Sequence, residues 1–556
     1  MLNSLALALL IAVGASTPVS DPIPGVTWNA RHVEHLLNRA TFGARPGEIE
    51  AGVAAGPELL IDRLLNERAD IEEPFIEPLT EPSARAYKEL STDEQKLLKR
   101  DYAERERRQQ LECIGWWVDR MVKGDDPLLD RMTLFWHGLL TSSTEQVNRS
   151  YPMVEQHRFL RRNALGSYSD LLYGIAKDPA MLLFLNNNSN RKGNPNENFA
   201  RELLELFSLG IGNYTETDIK EAARALTGRG SSRDGKFEFR AGQHDGGVKT
   251  VLGTTGKLDG DGLVKVILQQ EACPRYIARR IITYLEGVAP ETARLDDYAA
   301  CLRANEFQIK PFLRKLFLDP EFYRDEVIGA RVQGPIDYMV GMTRRLGNQA
   351  PPLVVASGAA LLGQRVLAPP NVKGWDEGLS WISTSTFMQR GNLAGLMLGI
   401  VRIDDVLNQA DLLARNNDAP MEPASDGSMQ GGEPMMTSEQ KEAMAKRLRS
   451  GVKGGFAYDA LRRAQEAGWT PSINFTARLQ RQGVTSDAAI VDRMLDDLLA
   501  IHAGEETRAQ MLAFLTNERV QLSVRDGKLL EGGPAVERIL RRLAHVILSL
   551  PEAQLM

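Results

Sequence analysis

Cysteine is scarce. Cys113, Cys273 and Cys301 are the only three in 556 residues, far apart and without C-x-x-C spacing. A disulfide-dense scaffold is excluded, and an odd count leaves at least one free thiol. Buried thiols serving as small apolar side chains are the preferred reading, with a Cys273–Cys301 bridge left open. Positive charge is not in surplus either: 67 Lys and Arg face 73 Asp and Glu, a net charge of −6. Neutralising phosphates takes a basic excess or stripe, so a general nucleic-acid binder is excluded. Long apolar runs are also missing. No stretch reaches the roughly 18 consecutive apolar residues that mark a membrane-spanning helix.

Several catalytic signatures are absent. Neither H-E-x-x-H nor G-x-S-x-G occurs, which removes the common zinc-protease helix and the nucleophile elbow. Residues 253–258 (GTTGKL) imitate the end of a P-loop. Val251 stands where its first glycine belongs, and Leu258 stands where Ser or Thr would hold magnesium. Residues 259–262 (DGDG) lack the later ligands of a calcium loop and read as a turn before a helix.

What is present has the ordinary balance of a soluble globular chain, 43% hydrophobic and 25% charged. The length has room for several domains. Residues 5–13 form an unbroken apolar run followed by Gly14, Ala15 and Ser16. That length suits a signal-peptide core and is too short to span a bilayer. Val13 and Ala15 occupy the −3 and −1 positions of a cleavage site after Ala15, with residue 20 as the alternative end. The leading region has no Lys or Arg, so a buried N-terminal helix remains the rival reading. The expected location is the periplasm or the outside of the cell.

Helical periodicity dominates the rest. Ile490, Val491, Met494, Leu495, Leu498 and Leu499 recur as adjacent pairs four apart, one apolar stripe with Asp492, Arg493, Asp496 and Asp497 outside it. Segment 88–122 reads as a long helix with one exposed half. Strand signals are confined to residues 237–239 and 249–252, which predict a small β-hairpin near 235–253. The fold class is therefore mainly α, a multi-helix bundle-like body. Residues 416–437 (NNDAPMEPASDGSMQGGEPMMT) have no periodicity and read as a disordered insertion. They separate a main helical domain, 28–406, from a C-terminal helical part, 438–556, expected to pack on it.

Four constellations carry chemistry. In residues 194–210, Asn194 reads as an N-cap, Pro195 as the first helical residue and Glu197 as N3 of a capping box, with Gly210 ending the helix. Glu197, Arg201 and Glu205 then share a face. They form either a surface ion ladder or two carboxylates aimed into a cleft with Arg201 holding one of them. His137 ends the apolar run RMTLFWH (131–137), as a core histidine, a ligand or a proton carrier. His244 and Asp245 lie in the glycine-rich loop GQHDGG, where function often resides. Trp375 and Asp376 follow two helix-breaking prolines, with Trp381 close behind. Such a tryptophan stacks on a flat ligand or plugs the core under a rigid loop.

Taken in order, HLLNRATFGARPGEIE (35–50), RMTLFWHGLLTSS (131–143), the block at 178–228, HDGGVKTVLGTTG (244–256) and PPNVKGWDEGLSWISTSTFMQR (369–390) resemble a bacterial family catalogued as domain of unknown function 1800. The resemblance spans roughly 30–550. One departure is Asn186, where many relatives carry Asp. The resemblance implies a mostly helical exported protein, often encoded beside an alkaline-phosphatase- or sulfatase-like hydrolase that would be its partner. It lends no catalytic residues.

Two functions follow. The first is an exported protein that binds or scaffolds a partner such as that hydrolase-like protein. The second is metal-assisted hydrolysis, in which Glu197, Glu205, His137 and His244 hold a divalent metal with Asp245 beside them. The second requires these side chains to converge within metal-bonding distance.

Overall fold

The computed structural model describes residues 23–69, 72–80, 83–408, 456–525, 527–531 and 533–556. The expected leader, 1–15, and the expected insertion, 416–437, lie outside the described residues. The fold is mainly α. Its β structure lies in residues 229–256 as two small antiparallel sheets: Arg229–Ser231 with Phe237–Phe239, and Lys249–Val251 with Thr254–Gly256. Segments 237–239 and 249–251 are thus both strands, each with its own local partner.

The long helix Thr92–Lys123 begins at a capping box between Ser91 and Glu94 and stops at Gly124 in the left-handed region. Helix Asp487–Leu498 buries Ile490, Val491, Met494, Leu495 and Leu498, the stripe its periodicity predicts. Ser486 caps it.

Apolar burial divides into two main cores. One joins Trp117, Met339, Ala360 and Leu393 to Leu461, Leu495 and Leu543 from the helices beyond residue 456. The other gathers Trp136, Tyr168, Phe199, Ile219, Ile281 and Phe312. Helix Pro127–Leu139 is the seam between them, since Leu134 belongs to the first core and Phe135 to the second.

A buried ion network ties this seam together. Arg131 is fully buried. Its guanidinium donates to the Thr41 carbonyl (2.8 Å) and to Asp337 of helix Pro335–Leu346. Arg331 binds the other Asp337 oxygen at 2.8 Å. Burial pushes the Asp337 carboxyl up, but the two guanidiniums outweigh it and hold it below the usual carboxylate range.

Candidate functional site

The acidic helix lies at the surface. Asn194 closes a tight turn with Arg191 instead of capping a helix. The helix is Asn198–Leu204, with Glu197 at its N-cap and without a side-chain capping bond; just before it, Asn196 accepts from the Asn198 amide at 3.0 Å. Asn196 is held in turn by Asn190, whose side-chain oxygen accepts its amide at 3.0 Å. A π-helical turn, Glu205–Leu209, follows and ends at Gly210, whose φ of +78° fits the expected terminator. Arg201 makes its bidentate pair with Glu216 (2.9 Å twice), and Glu197 is 3.5 Å away. Glu205 accepts from the Tyr214 hydroxyl. All three sequence-predicted residues are thus half-exposed and engaged with their surface neighbours, so the inward-facing reading is corrected. Arg201 is drawn to the first turn of the next helix, where a carboxylate lies within bidentate reach.

The HDGG loop is held by its own frame. The His244 ring nitrogen Nδ1 donates to the Thr227 carbonyl at 3.0 Å, and the Asp245 amide donates to the Thr227 hydroxyl at 2.8 Å. Arg224 donates to the Asp245 carboxylate at 2.8 Å and pulls its pKa down to about 2. A carboxyl that low stays ionised and cannot trade protons near neutrality.

His137 faces the core. It is 1% exposed, and burial lowers its pKa to about 4. Both ring nitrogens lack hydrogen-bond partners. Its ring sits 6.0 Å from Trp117 and 5.3 Å from Trp375. Glu197, Glu205, His137 and His244 therefore do not assemble a metal site. Among the described residues, no three or more His, Cys, Asp or Glu are placed to hold an ion.

Trp375 and Asp376 do meet a cavity. Both line a cavity of about 290 Å³ at the seam between the two cores. Its other walls include Phe135, Tyr284, Arg280, Arg331 and Trp381. The loop that brings Trp375 there depends on Gly374. Its φ is +90°, and a Cβ on it would stand 2.2 Å from the Gly138 carbonyl oxygen. Asn371 pins the turn by accepting the Lys373 amide on its side chain at 2.9 Å.

Several N–H donors at this cavity have no partner. The Trp375 indole nitrogen and the Arg280 Nε are buried without a partner. Gln364 spends its carbonyl oxygen on the Ile336 amide at 2.9 Å, which leaves its amide nitrogen for a ligand. Trp381 brings its indole nitrogen to the floor formed by Gly334, 3.7 Å from where a Cβ on that glycine would stand. Two of its carboxylates are committed: Asp337 to Arg131 and Arg331, and Glu377 to Arg280 at 3.1 Å.

A second cavity, about 390 Å³, lies between residues 30–53 and 478–502. Burial raises Glu34 there to about 7. Of its five guanidiniums, Arg478 and Arg493 pair with Asp497, Arg45 with Glu48 and Arg31 with Asp325, and Arg345 donates to the Asn38 side-chain oxygen at 2.8 Å. None of the candidate site residues read from the sequence lines it.

Sequence reasoning passed over Arg280, Tyr284, Arg331, Asp337 and Gln364, and noticed Trp381 only in passing. A usable signal existed for the ion pair beneath them. Arg131 and Asp337 are charges set inside otherwise apolar helical runs.

Fold and site together define a mainly helical protein with an aromatic, donor-rich cavity at the junction of two cores. The family described as "Protein of unknown function (DUF1800)" matches residues 35–555, and the chain belongs to that family. No curated protein and no solved structure matches the chain.

Proposed function

We propose that this chain is an exported helical protein that acts by binding, and that the cavity walled by Trp375 is its binding site. The observation that carries this reading is the set of unspent N–H donors around an aromatic cavity in which Asp337 and Glu377 are committed to guanidiniums. Buried donors without partners are costly, and a ligand that supplies acceptors removes that cost. Aromatic walls with a few placed polar groups are the usual make-up of a ligand pocket. Proton-transfer chemistry gains no support here. Asp337 is held ionised, and His137 is neutral and sealed behind Trp375. Metal-assisted hydrolysis loses its ligand set, because the four side chains do not gather. Export rests on the apolar run at 5–13, and scaffolding of a hydrolase-like partner belongs to the same reading.

The test is to recover the protein from the exporting cell and identify what it carries. Bound small molecules are released by denaturation and read by mass spectrometry, and co-purified proteins are read in parallel. The wild type and Arg201→Gln are expected to retain the same species, and Trp375→Ala is expected to lose it. Retention by Trp375→Ala, or loss by Arg201→Gln alone, contradicts the assignment of the site.

A further inference from the structure

We infer that the cavity beneath Trp375 binds a small organic oxyanion: a flat apolar body bearing one carboxylate, seated with that group toward Gln364, Trp381 and Arg331. This rests on the reading that the cavity is the binding site, and it adds the class of ligand.

Charge points the same way as hydrogen bonding. Arg131 and Arg331 share the single carboxylate of Asp337, so the inner wall holds two guanidiniums against one negative charge. Arg331 and Asp337 both line the cavity, whereas Arg131 stands behind them, fully buried. An uncompensated cation in a low-dielectric wall attracts an anion strongly. At the mouth the balance is different. Arg280 and Glu377 neutralise each other at 3.1 Å, and Asp376 is exposed, where water and salt screen it. The favourable field is therefore at the inner end.

The donors sit at that same end. Gln364 and Trp381 are each 7% exposed, and both line the cavity. At the Gly334 floor between them, Trp381 Nε1 stands 3.7 Å from a Cβ position and the oxygens Gln364 Oε1 and Asp337 Oδ2 stand 3.4 Å from it. Those oxygens already accept from the Ile336 amide and from Arg331, so what this end offers a ligand is N–H groups. Above it stand Trp375, Tyr284 and Phe135, which supply flat apolar surface for the body of the ligand. A carboxylate accepts several hydrogen bonds and donates none when ionised, which matches the donors on offer.

The experiment is calorimetric titration of the full chain with three probes of one shape: benzoate, benzamide and benzylammonium. Benzoate is expected to bind at least about tenfold more tightly than benzamide, the range of a charge-assisted hydrogen bond. Benzylammonium is expected to bind most weakly. In Gln364→Glu the carboxylate still accepts the Ile336 amide but puts an oxygen where the amide nitrogen stood. Benzoate binding is expected to fall by about tenfold or more, and benzamide by less than about twofold. Trp381→Phe keeps an aromatic ring but removes the pyrrole half with its N–H, so it is expected to weaken benzoate more than benzamide. Equal binding of benzoate and benzamide, both lost in Trp375→Ala, would overturn the oxyanion inference and leave the cavity as the site. Failure of all three probes to bind at millimolar concentration would overturn both.

Discussion

At the residue scale, burial decides which charged side chains matter. Asp337 is 5% exposed and carries two guanidiniums, whereas Glu216, the main partner of Arg201, stands in water. Removing one partner of a buried ion pair typically costs about 3–5 kcal/mol, because the other charge is left uncompensated. Asp337→Asn is therefore expected to lower the melting temperature sharply, and Glu216→Gln to leave it within the scatter of replicate melts. Calorimetric melts of the two variants side by side check this.

The buried imidazoles add a pH dependence. Burial lowers His137 to about 4 and His157 well below its ordinary value, with Arg158 and Arg161 adding to the effect on His157. Both rings pack against Trp117. A native pKa below the unfolded value of 6.5 means the unfolded chain binds the proton first. The stability these groups contribute is full above pH 6.5 and is lost as pH falls toward 4. For His137 the loss is on the order of 3 kcal/mol. Buried Asp130, raised to about 6, works in the opposite direction, since ionising it costs stability as pH rises. The His137 contribution is therefore read as a difference. His137→Phe is expected to lose less stability than the wild type between pH 7 and pH 4.5 in urea unfolding. Parallel profiles would show that the ring titrates normally.

At the scale of elements, the loop that carries Trp375 depends on one backbone position. Gly374→Ala adds a methyl against the Gly138 carbonyl at a φ that L residues rarely adopt. It is expected to displace the loop and weaken binding of the benzoate probe by at least about tenfold, consistent with the loss of a charge-assisted contact. Gly378→Ala, in the same loop at φ +60° but with nothing within 4 Å of its Cβ position, is expected to have the smaller effect. Equal effects would mean that loop strain alone, and not the approach to Gly138, positions Trp375.

Elements with strong local patterns were legible from sequence. Six apolar residues at paired four-residue spacing placed helix Asp487–Leu498, and the Gly210 stop was right because it depends only on local backbone freedom. The start of the preceding helix was not legible. Asn194 is a good cap by type, but it is taken up by the turn at Arg191, while Asn190 accepts the Asn196 amide on its side-chain oxygen, and the helix starts only at Asn198. The inward-facing reading of Glu197, Arg201 and Glu205 failed for a similar reason. Spacing shows that side chains share a face, but not which neighbour that face meets. Trp375, which the sequence marks by the two prolines before it, does line a cavity.

At the scale of the whole molecule, the cavity exists because two cores meet along helix Pro127–Leu139. Its walls come from segments more than 200 residues apart, from Leu134 and Phe135 to Trp375 and Trp381. No local pattern could assemble them. Helical periodicity gave the overall class and the family resemblance implied the same, and the match over residues 35–555 shows the family itself. It carried no information about a cavity. The helices beyond residue 456 complete the first core, so the Trp375 wall rests on packing contributed by both ends of the chain.

The central claim is that binding takes place under Trp375, and the chain's seven tryptophans allow it to be read in one measurement. Protein labelled with 5-fluorotryptophan is titrated with benzoate while the fluorine resonances are followed, with Trp375→Phe and Trp381→Phe supplying the assignments. The resonances of Trp375 and Trp381 are expected to shift together and saturate, while those of Trp28 and Trp469 stay fixed. Saturable shifts confined to the other tryptophans, or no shift at Trp375 when calorimetry reports binding, would contradict the account.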